Sequence, residues 1–333
     1  MEKDEIAIIL NGENLILAEK ELKSCLSSLN LEYEDIYKNR QILIIRLDKF
    51  FVDYLFWRCS MLKYAIELIY RGNLQDFFKK PELKNLRLDA IYYLDLHSFD
   101  NKYKPLINSI RNEILSILSS KDIKLSVKNA TKILKCLILD DNLYLGVLIA
   151  NINNKQYEIR RPSKRPFFHS SSMMPKLARC IVNLSQVEIN NFLLDPFCGS
   201  GGFLIEASYF VDYCVGVDID RKMVRGALKN IKFFNKYNVD LVQADAENIP
   251  LRKIDYVATD MPYGIASSVK GREKSSLFYN FLRNLEIYDI KKLSIATTEE
   301  NKNKNFKVEF FYRQKVKGNL YRNIYVLKKE IRS

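Results

Sequence analysis

The sequence predicts an α/β protein, with a doubly wound, mostly parallel sheet in its C-terminal half and a smaller α+β region before it. Three observations carry this reading. The run Leu193–Ala207 (LLDPFCGSGGFLIEA) is an apolar strand, Asp-Pro, a glycine turn and then an amphipathic helix, the order of a ligand-binding crossover unit. Short apolar runs continue after it, separated by helical patterns, as a parallel sheet requires. The first 150 or so residues alternate strand-like and helix-like runs without a glycine fingerprint, so they need a separate, smaller architecture.

Taken in chain order, Ile6–Leu10 is an expected strand, Ile16–Leu29 a helix, Gln41–Leu47 a strand, Phe50–Met61 an aromatic-rich helix and Ala65–Tyr70 a third strand. Next come Ile91–Ser98 (strand), Leu106–Leu118 (a helix with apolar residues at helical spacing) and Ile123–Val127 (strand). Lys132–Leu139 and Leu143–Ile149 flank Asp140-Asp141-Asn142 and read as a hairpin. In the C-terminal half, strands are expected at Phe192–Leu194, Tyr213–Val217, Asp240–Ala244, Tyr256–Thr259 and Lys292–Ala296. A closing pair is expected near Lys307–Lys315 and Arg322–Lys328. Asn301–Asn305 reads as a solvated loop. The expected organisation is an N-terminal domain over 1–72, a second over 73–152, a linker over 153–168 and a larger C-terminal domain over 169–333.

Length and charge agree with this plan. The 333 residues suit about two domains, and 47% apolar content supplies their cores. A formal charge of +13 and a pI near 9.2 point to a polyanionic partner, since clustered Lys and Arg displace counterions from phosphates. The densest basic run is Arg160, Arg161, Lys164 and Arg165; in the expected linker it can face RNA. Lys128 is a further candidate RNA contact.

Two motifs carry the chemistry. The first sets Asp195 and the glycines Gly199, Gly201 and Gly202 at the carboxyl end of a strand, where a cofactor can lie against bare backbone. The strand after its helix ends in Asp218, 23 residues beyond Asp195, close to the roughly 20 residues expected for a carboxylate that reaches ribose hydroxyls. Asp245-Ala246 follows the third strand, in place to bond an adenine amino group. The second motif, Ala258–Gly264 (ATDMPYG), puts a carboxylate, a proline and an aromatic ring at the end of a later strand. An acceptor beside a stacking face suits a planar base that carries a nucleophilic amine.

These residues resemble class I methyltransferases that use S-adenosylmethionine and modify an exocyclic amine. That group's first motif reads D-P-F-C-G-[ST]-G, and this chain has Asp195-Pro196-Phe197-Cys198-Gly199-Ser200-Gly201; its catalytic motif reads [DNS]-P-P-[YFW], and here stands Asp260-Met261-Pro262-Tyr263. Upstream, Arg161 to His169 (RPSKRPFFH) and Met174 to Arg179 (MPKLAR) look like the lead-in of archaeal tRNA (guanine-10-N2)-methyltransferases. Leu125 to Asn129 and the hairpin through Tyr144-Leu145-Gly146-Val147 resemble a THUMP domain, an RNA-binding module, with Ala130 where that family often has proline.

The resemblance implies a Rossmann-like methyltransferase domain behind an α+β, ferredoxin-like/THUMP region, a cytoplasmic location and tRNA as substrate. It implies cofactor contacts at Asp195, Pro196, Phe197, Gly199, Ser200, Gly201, Asp218, Ile219, Asp245, Ala246, Asp260 and His169. In the implied mechanism Asp260 accepts one amine hydrogen, the carbonyl of Met261 or Pro262 accepts the other, and Tyr263 stacks on the base. Methionine at 261 keeps the carbonyl but lacks proline's fixed φ, so a proline there is expected to preorganise that acceptor. The other readings are an N2-guanine or N6-adenine methyltransferase on ribosomal RNA or DNA, a non-catalytic RNA-binding protein, and a nicotinamide oxidoreductase. The last leaves Asp260–Tyr263 without a purpose.

The six cysteines show no C-x-x-C pairing and the only histidines are His97 and His169, so no metal site is expected. Acidic residues precede the first apolar run, which argues against a signal peptide, and no stretch approaches the roughly 20 apolar residues of a membrane span. Nothing in the sequence fixes an oligomeric state; a monomer is compatible with it.

Overall fold

In the computed structural model, residues 3–79, 81, 83, 86–262 and 274–330 are described. The chain forms two compact units. The first comprises Met1–Gly12, Glu32–Phe56 and Leu62–Ile152, and the second comprises Glu13–Leu31, Trp57–Met61 and Asn153–Ser333.

Elements up to residue 151 are β1 (Asp4–Leu10), α1 (Leu15–Ser28), β2 (Glu34–Asn39), β3 (Ile42–Leu47), α2 (Val52–Arg58), β4 (Leu62–Asn73), α3 (Leu74–Phe77), β5 (Ile91–Ser98), α4 (Ile107–Ser119), β6 (Lys124–Leu125), β7 (Lys132–Leu139) and β8 (Asn142–Asn151). The strands make one eight-stranded sheet in the order β2-β3-β1-β4-β8-β7-β5-β6. It therefore runs through both of the regions expected at 1–72 and 73–152. Ile110, Ile114 and Leu118, at helical spacing on α4, bury into one apolar core with Leu134, Cys136 and Leu145.

Several elements differ from expectation for identifiable reasons. Strand β2 was not foreseen because EDIYKN is polar and exposed at the sheet edge, where no apolar alternation is required. The helix expected over Phe50–Met61 ends at Arg58. There the amides of Ser60 and Met61 donate to the Glu21 carboxylate, at 2.9 and 2.8 Å, instead of continuing the helix. The β7–β8 turn is one residue tighter, since Leu139 pairs with Asn142. Asp140 and Asp141 take φ of +47° and +62°, the left-handed pair that a two-residue hairpin turn needs and that Asp tolerates.

The second unit contains α1 together with α5 (Asn154–Ile159), α6 (Pro175–Leu184), β9 (Phe192–Asp195), α7 (Gly202–Ala207), β10 (Tyr213–Asp218), α8 (Arg221–Phe233), β11 (Val239–Gln243), β12 (Tyr256–Asp260), α9 (Lys274–Leu285), β13 (Lys292–Thr297), β14 (Phe306–Lys317) and β15 (Leu320–Lys329). Its sheet has the order β11-β10-β9-β12-β13-β15-β14. The first five strands are parallel and the last two antiparallel. All seven strands lie close to their expected positions; β9, β10, β12 and β13 are buried parallel strands that read as apolar runs. The order reverses between β9 and β12, so their carboxyl ends flank a topological switch point, where α/β sheets hold ligands.

Two buried polar clusters fix the framing elements of this unit. Glu21 on α1 is fully buried and also accepts from Asn183 Nδ2 of α6 at 2.8 Å and from the Ser60 hydroxyl at 2.8 Å. Every partner sits in this unit, which explains why 13–31 group with it rather than with the flanking strands. Residues 153–168, expected as a linker, are folded. Arg160 makes a bidentate pair with buried Glu206 of α7 at 2.7 and 2.9 Å, and Arg179 Nε lies 3.4 Å from the same carboxylate.

Candidate active site

The glycine turn after β9 is built by backbone geometry. Gly199 (φ +50°) and Gly201 (φ +80°) occupy the left-handed region, which glycine enters without a Cβ penalty. Asp218, at the end of β10, reaches across to this turn. Its Oδ2 accepts from Gly199 N at 2.9 Å and its Oδ1 from Asp220 N at 2.8 Å. Cys198 N donates to Val217 O at 2.9 Å. The expected ribose acid is therefore also the residue that pins the glycine loop, and each oxygen retains acceptor capacity.

Further ties hold the turn from behind. Asn230 on α8 donates to Ser200 O and to Phe167 O at 2.9 Å each, and accepts from Phe167 N at 2.8 Å. The Phe167 ring fills the space that a Cβ on Gly226 would take. Ser200 Oγ is 2.7 Å from Ser172 Oγ, and His169 Nδ1 is 2.7 Å from Ser171 Oγ. The loop 167–172 thus lies along the turn.

Asp195 is 1% exposed. Thr259 Oγ1 donates to its Oδ1 at 2.6 Å and Phe197 N at 3.3 Å. Burial pushes the carboxyl up to about 7, against those hydrogen bonds and with a small addition from the Asp218 charge. Thr259 belongs to β12, so this bond couples the ends of the two central strands. Asp260 is the next residue. Its Oδ1 is buried with no hydrogen-bond partner among the described residues, and Arg322 Nε of β15 lies 3.9 Å away. Burial pushes the Asp260 carboxyl up to about 8, while Arg322 opposes the rise and Asp195 adds to it.

Met261 is 3% exposed, its side chain sits in the core, and its amide donates to Ala296 O at 2.9 Å. Proline has no such amide, so the expectation that proline would improve this position is corrected: it would remove a ladder bond to β13. Pro262 follows, half-buried. Tyr263, the expected stacking ring, lies outside the described residues.

Other candidates divide clearly. Ala246 is buried in the core beside half-buried Asp245, whose Oδ1 accepts from Glu247 N at 3.0 Å. Ile219 is exposed. Pro196 is buried and Phe197 packs edge-on against Phe281 at 5.3 Å. Arg160 and Arg165 were expected to meet RNA and do not fit that role. They are 3% and 5% exposed, the first bound to Glu206 and the second donating to Arg160 O at 2.9 Å beside Gly202. Sequence spacing shows a charge run but not which members are turned inward. Arg161, ion-paired with Glu158 at 3.1 Å, and Lys164 are exposed, as is Lys128 in the first unit. Among the described residues no group of His, Cys, Asp and Glu can hold a metal ion, and no helix is long and apolar enough to cross a membrane.

Thr259 and Arg322 were missed by sequence reasoning. Threonine ahead of the motif acid carried a signal only once its burial is known, since a buried hydroxyl needs a partner. Arg322 carried none: its approach to Asp260 depends on the pairing of β15 with β13.

The family model UPF0020 (RMKL-like, methyltransferase domain) matches residues 162–322. The tRNA (guanine(10)-N2)-dimethyltransferase of Methanothermobacter thermautotrophicus is 30% identical over 285 residues, covering 84% of this chain and 83% of its own. That of Methanocaldococcus jannaschii is 31% identical over 203 residues, 57% of each. The tRNA (guanine(10)-N(2))-methyltransferase of Saccharomyces cerevisiae is 34% identical over 139 residues, 38% of this chain and 32% of its own. Among solved structures, TrmN from Thermus thermophilus aligns with a TM-score of 0.57 at 14% identity, over 98% of this chain and 99% of that one. SMU.472 complexed with SAH aligns at 0.54 and 14% identity over all of both. At that identity the two structures speak for the fold alone.

Proposed function

From membership in the tRNA (guanine(10)-N2)-dimethyltransferase family, to which this chain belongs, we propose that it methylates the exocyclic N2 amine of a tRNA guanosine, the one at position 10. The observation that carries the reading is Asp260: a carboxylate at the switch point of the sheet, with one oxygen unpartnered among the described residues. A buried lone acceptor is costly unless something comes to use it. An amine hydrogen does so.

The donor set fits S-adenosylmethionine. The left-handed glycines Gly199 and Gly201 offer bare backbone, with Gly201 packed close to Ala227 and Ile231 of α8, Asp218 offers acceptor capacity for ribose hydroxyls, and Asp195 offers a buried carboxylate. Phe197, Ser200, His169, Ile219, Asp245 and Ala246 complete the proposed rim. When bound, the cofactor supplies an electrophilic methyl group on a sulfonium.

Asp260 acts on the other partner. The guanine amine is a weak nucleophile because its lone pair is delocalised into the ring. Ionised Asp260 accepts one of its hydrogens and the carbonyl of Met261 or Pro262 the other, which orients the lone pair and stabilises the positive charge developing on nitrogen. Asp260 then takes the proton the amine gives up. A paired guanosine must first leave its helix, at a few kcal/mol. The first unit, with its THUMP-like hairpin β7–β8 and Lys128, is proposed to grip the tRNA, with Arg161 and Lys164 contributing from the second, in the cytoplasm where tRNA is found.

The test is nucleoside analysis after incubation of unmodified tRNA transcript with labelled S-adenosylmethionine. N2-methylated guanosine is expected, and it should vanish when guanosine 10 is replaced. Label in adenosine, or label that survives the replacement, would contradict the assignment.

A further inference from the structure

The β14–β15 hairpin continues past the catalytic carboxylate. In register, Asp260 pairs with Ala296, Ala296 with Ile324, and Ile324 with Tyr312. Strand β13 ends one residue further on, where Thr297 pairs with Asn323. The hairpin then runs on alone from Gln314 and Arg322 to its turn at Gly318 (φ +56°). Four to five residues at about 3.4 Å each give an overhang of roughly 15 Å, on the carboxyl edge of the parallel strands where the site lies.

The composition of this tip is one-sided. From Phe310 to Asn323 the sequence FFYRQKVKGNLYRN has four cations and no acid. Arg313, Lys315 and Lys317 are exposed and have no carboxylate at ion-pair distance among the described residues. The Arg313 guanidinium stacks on the Tyr321 ring, 4.6 Å from its centroid, and that ring is 38% exposed, so a face remains open. Unpaired cations with an open aromatic face are the surface that suits single-stranded nucleic acid: the cations follow phosphates and the ring stacks on a base.

We propose that this hairpin tip is a substrate-binding element that grips the RNA strand next to the nucleotide entering the active site. Tyr321 stacks on a flanking base, and Arg313, Lys315 and Lys317 hold its phosphates. The inference rests on the methyltransferase reading above and adds a named contact surface to it. Lysines on an edge strand also discourage edge-to-edge aggregation, but protection of that kind leaves RNA affinity unchanged.

The full-length chain with Arg313→Ala, Lys315→Ala and Lys317→Ala tests the idea in single-turnover methylation of a tRNA transcript. Half-saturating tRNA should rise about tenfold or more. The log–log salt dependence should become shallower by about one per cation removed, with the rate at saturation and the affinity for S-adenosylmethionine kept. Tyr321→Ala should weaken tRNA binding about tenfold and Tyr321→Trp should restore it. If the wild-type chain methylates tRNA and the triple variant matches its half-saturation and salt slope, the hairpin is not an RNA contact. If the wild-type chain transfers no methyl to tRNA, the underlying reading fails and this inference with it.

Discussion

Arg322 Nε on β15 lies 3.9 Å from Asp260 Oδ1 on β12, the only cation paired with this carboxylate among the described residues. The two are 62 positions apart, and strand β13 stands between their strands in the sheet. The contact puts Arg322's charge beside the acid, where it favours the ionised form.

A pH dependence follows with a definite sign. In the proposed mechanism Asp260 takes up the amine's proton only when ionised, and its carboxyl is raised to about 8 by burial, with Arg322 opposing the rise. The rate should therefore increase with pH through that region. Arg322→Gln removes the opposing cation, so the midpoint of the pH–kcat/KM curve should move higher, and Arg322→Lys should return it part of the way. Superimposable pH profiles for wild type and Arg322→Gln would show that the pair does not tune the acid.

Met261→Pro should lower stability and activity together. The variant loses the 2.9 Å bond from Met261 N to Ala296 O at a cost of about 1–3 kcal/mol. Urea unfolding of the two proteins checks this. A variant as stable as wild type and faster would mean the strand end rearranges without that bond.

The core of the second unit depends on one carboxylate. Glu206→Gln leaves Arg160, 3% exposed, and fully buried Arg179 without their shared counter-charge. Breaking a buried pair by removing one partner costs roughly 3–5 kcal/mol. Thermal unfolding should show a large loss, whereas an unchanged midpoint would mean water or a shifted neighbour compensates.

Asp218→Ala should weaken S-adenosylmethionine binding by about 1.5–3 kcal/mol and also loosen the glycine turn, because the carboxylate holds Gly199 N as well. Calorimetry gives the first effect, and faster amide exchange at Gly199 gives the second. Cofactor affinity equal to wild type would move the ribose contact to another residue.

The parallel half of the fold was legible because β9, β10, β12 and β13 are buried apolar runs, and the fingerprints that end them need particular residue types. Asp195, Gly199, Gly201, Asp218 and Asp260 could be found on that ground. Edge strand β2 was not legible, since EDIYKN turns only Ile36 toward the core and shows no apolar alternation. The inward turn of Arg160 and Arg165 was hidden for the opposite reason: buried Glu206 that receives Arg160 is 46 residues away, and a charge run looks solvated until its partner is placed. Arg322 needed the antiparallel register of β15, which no local pattern encodes.

The central claim is that Asp260 acts on the amine in the transition state rather than in binding. Asp260→Asn keeps the shape of the side chain and removes its charge. Single-turnover methylation of one tRNA transcript at saturating cofactor measures the consequence, with cofactor and tRNA affinities determined on the same protein. The account predicts a rate lowered by roughly 10²–10⁴-fold with both affinities within about twofold of wild type. A rate close to wild type, with both ligands bound normally, would contradict it.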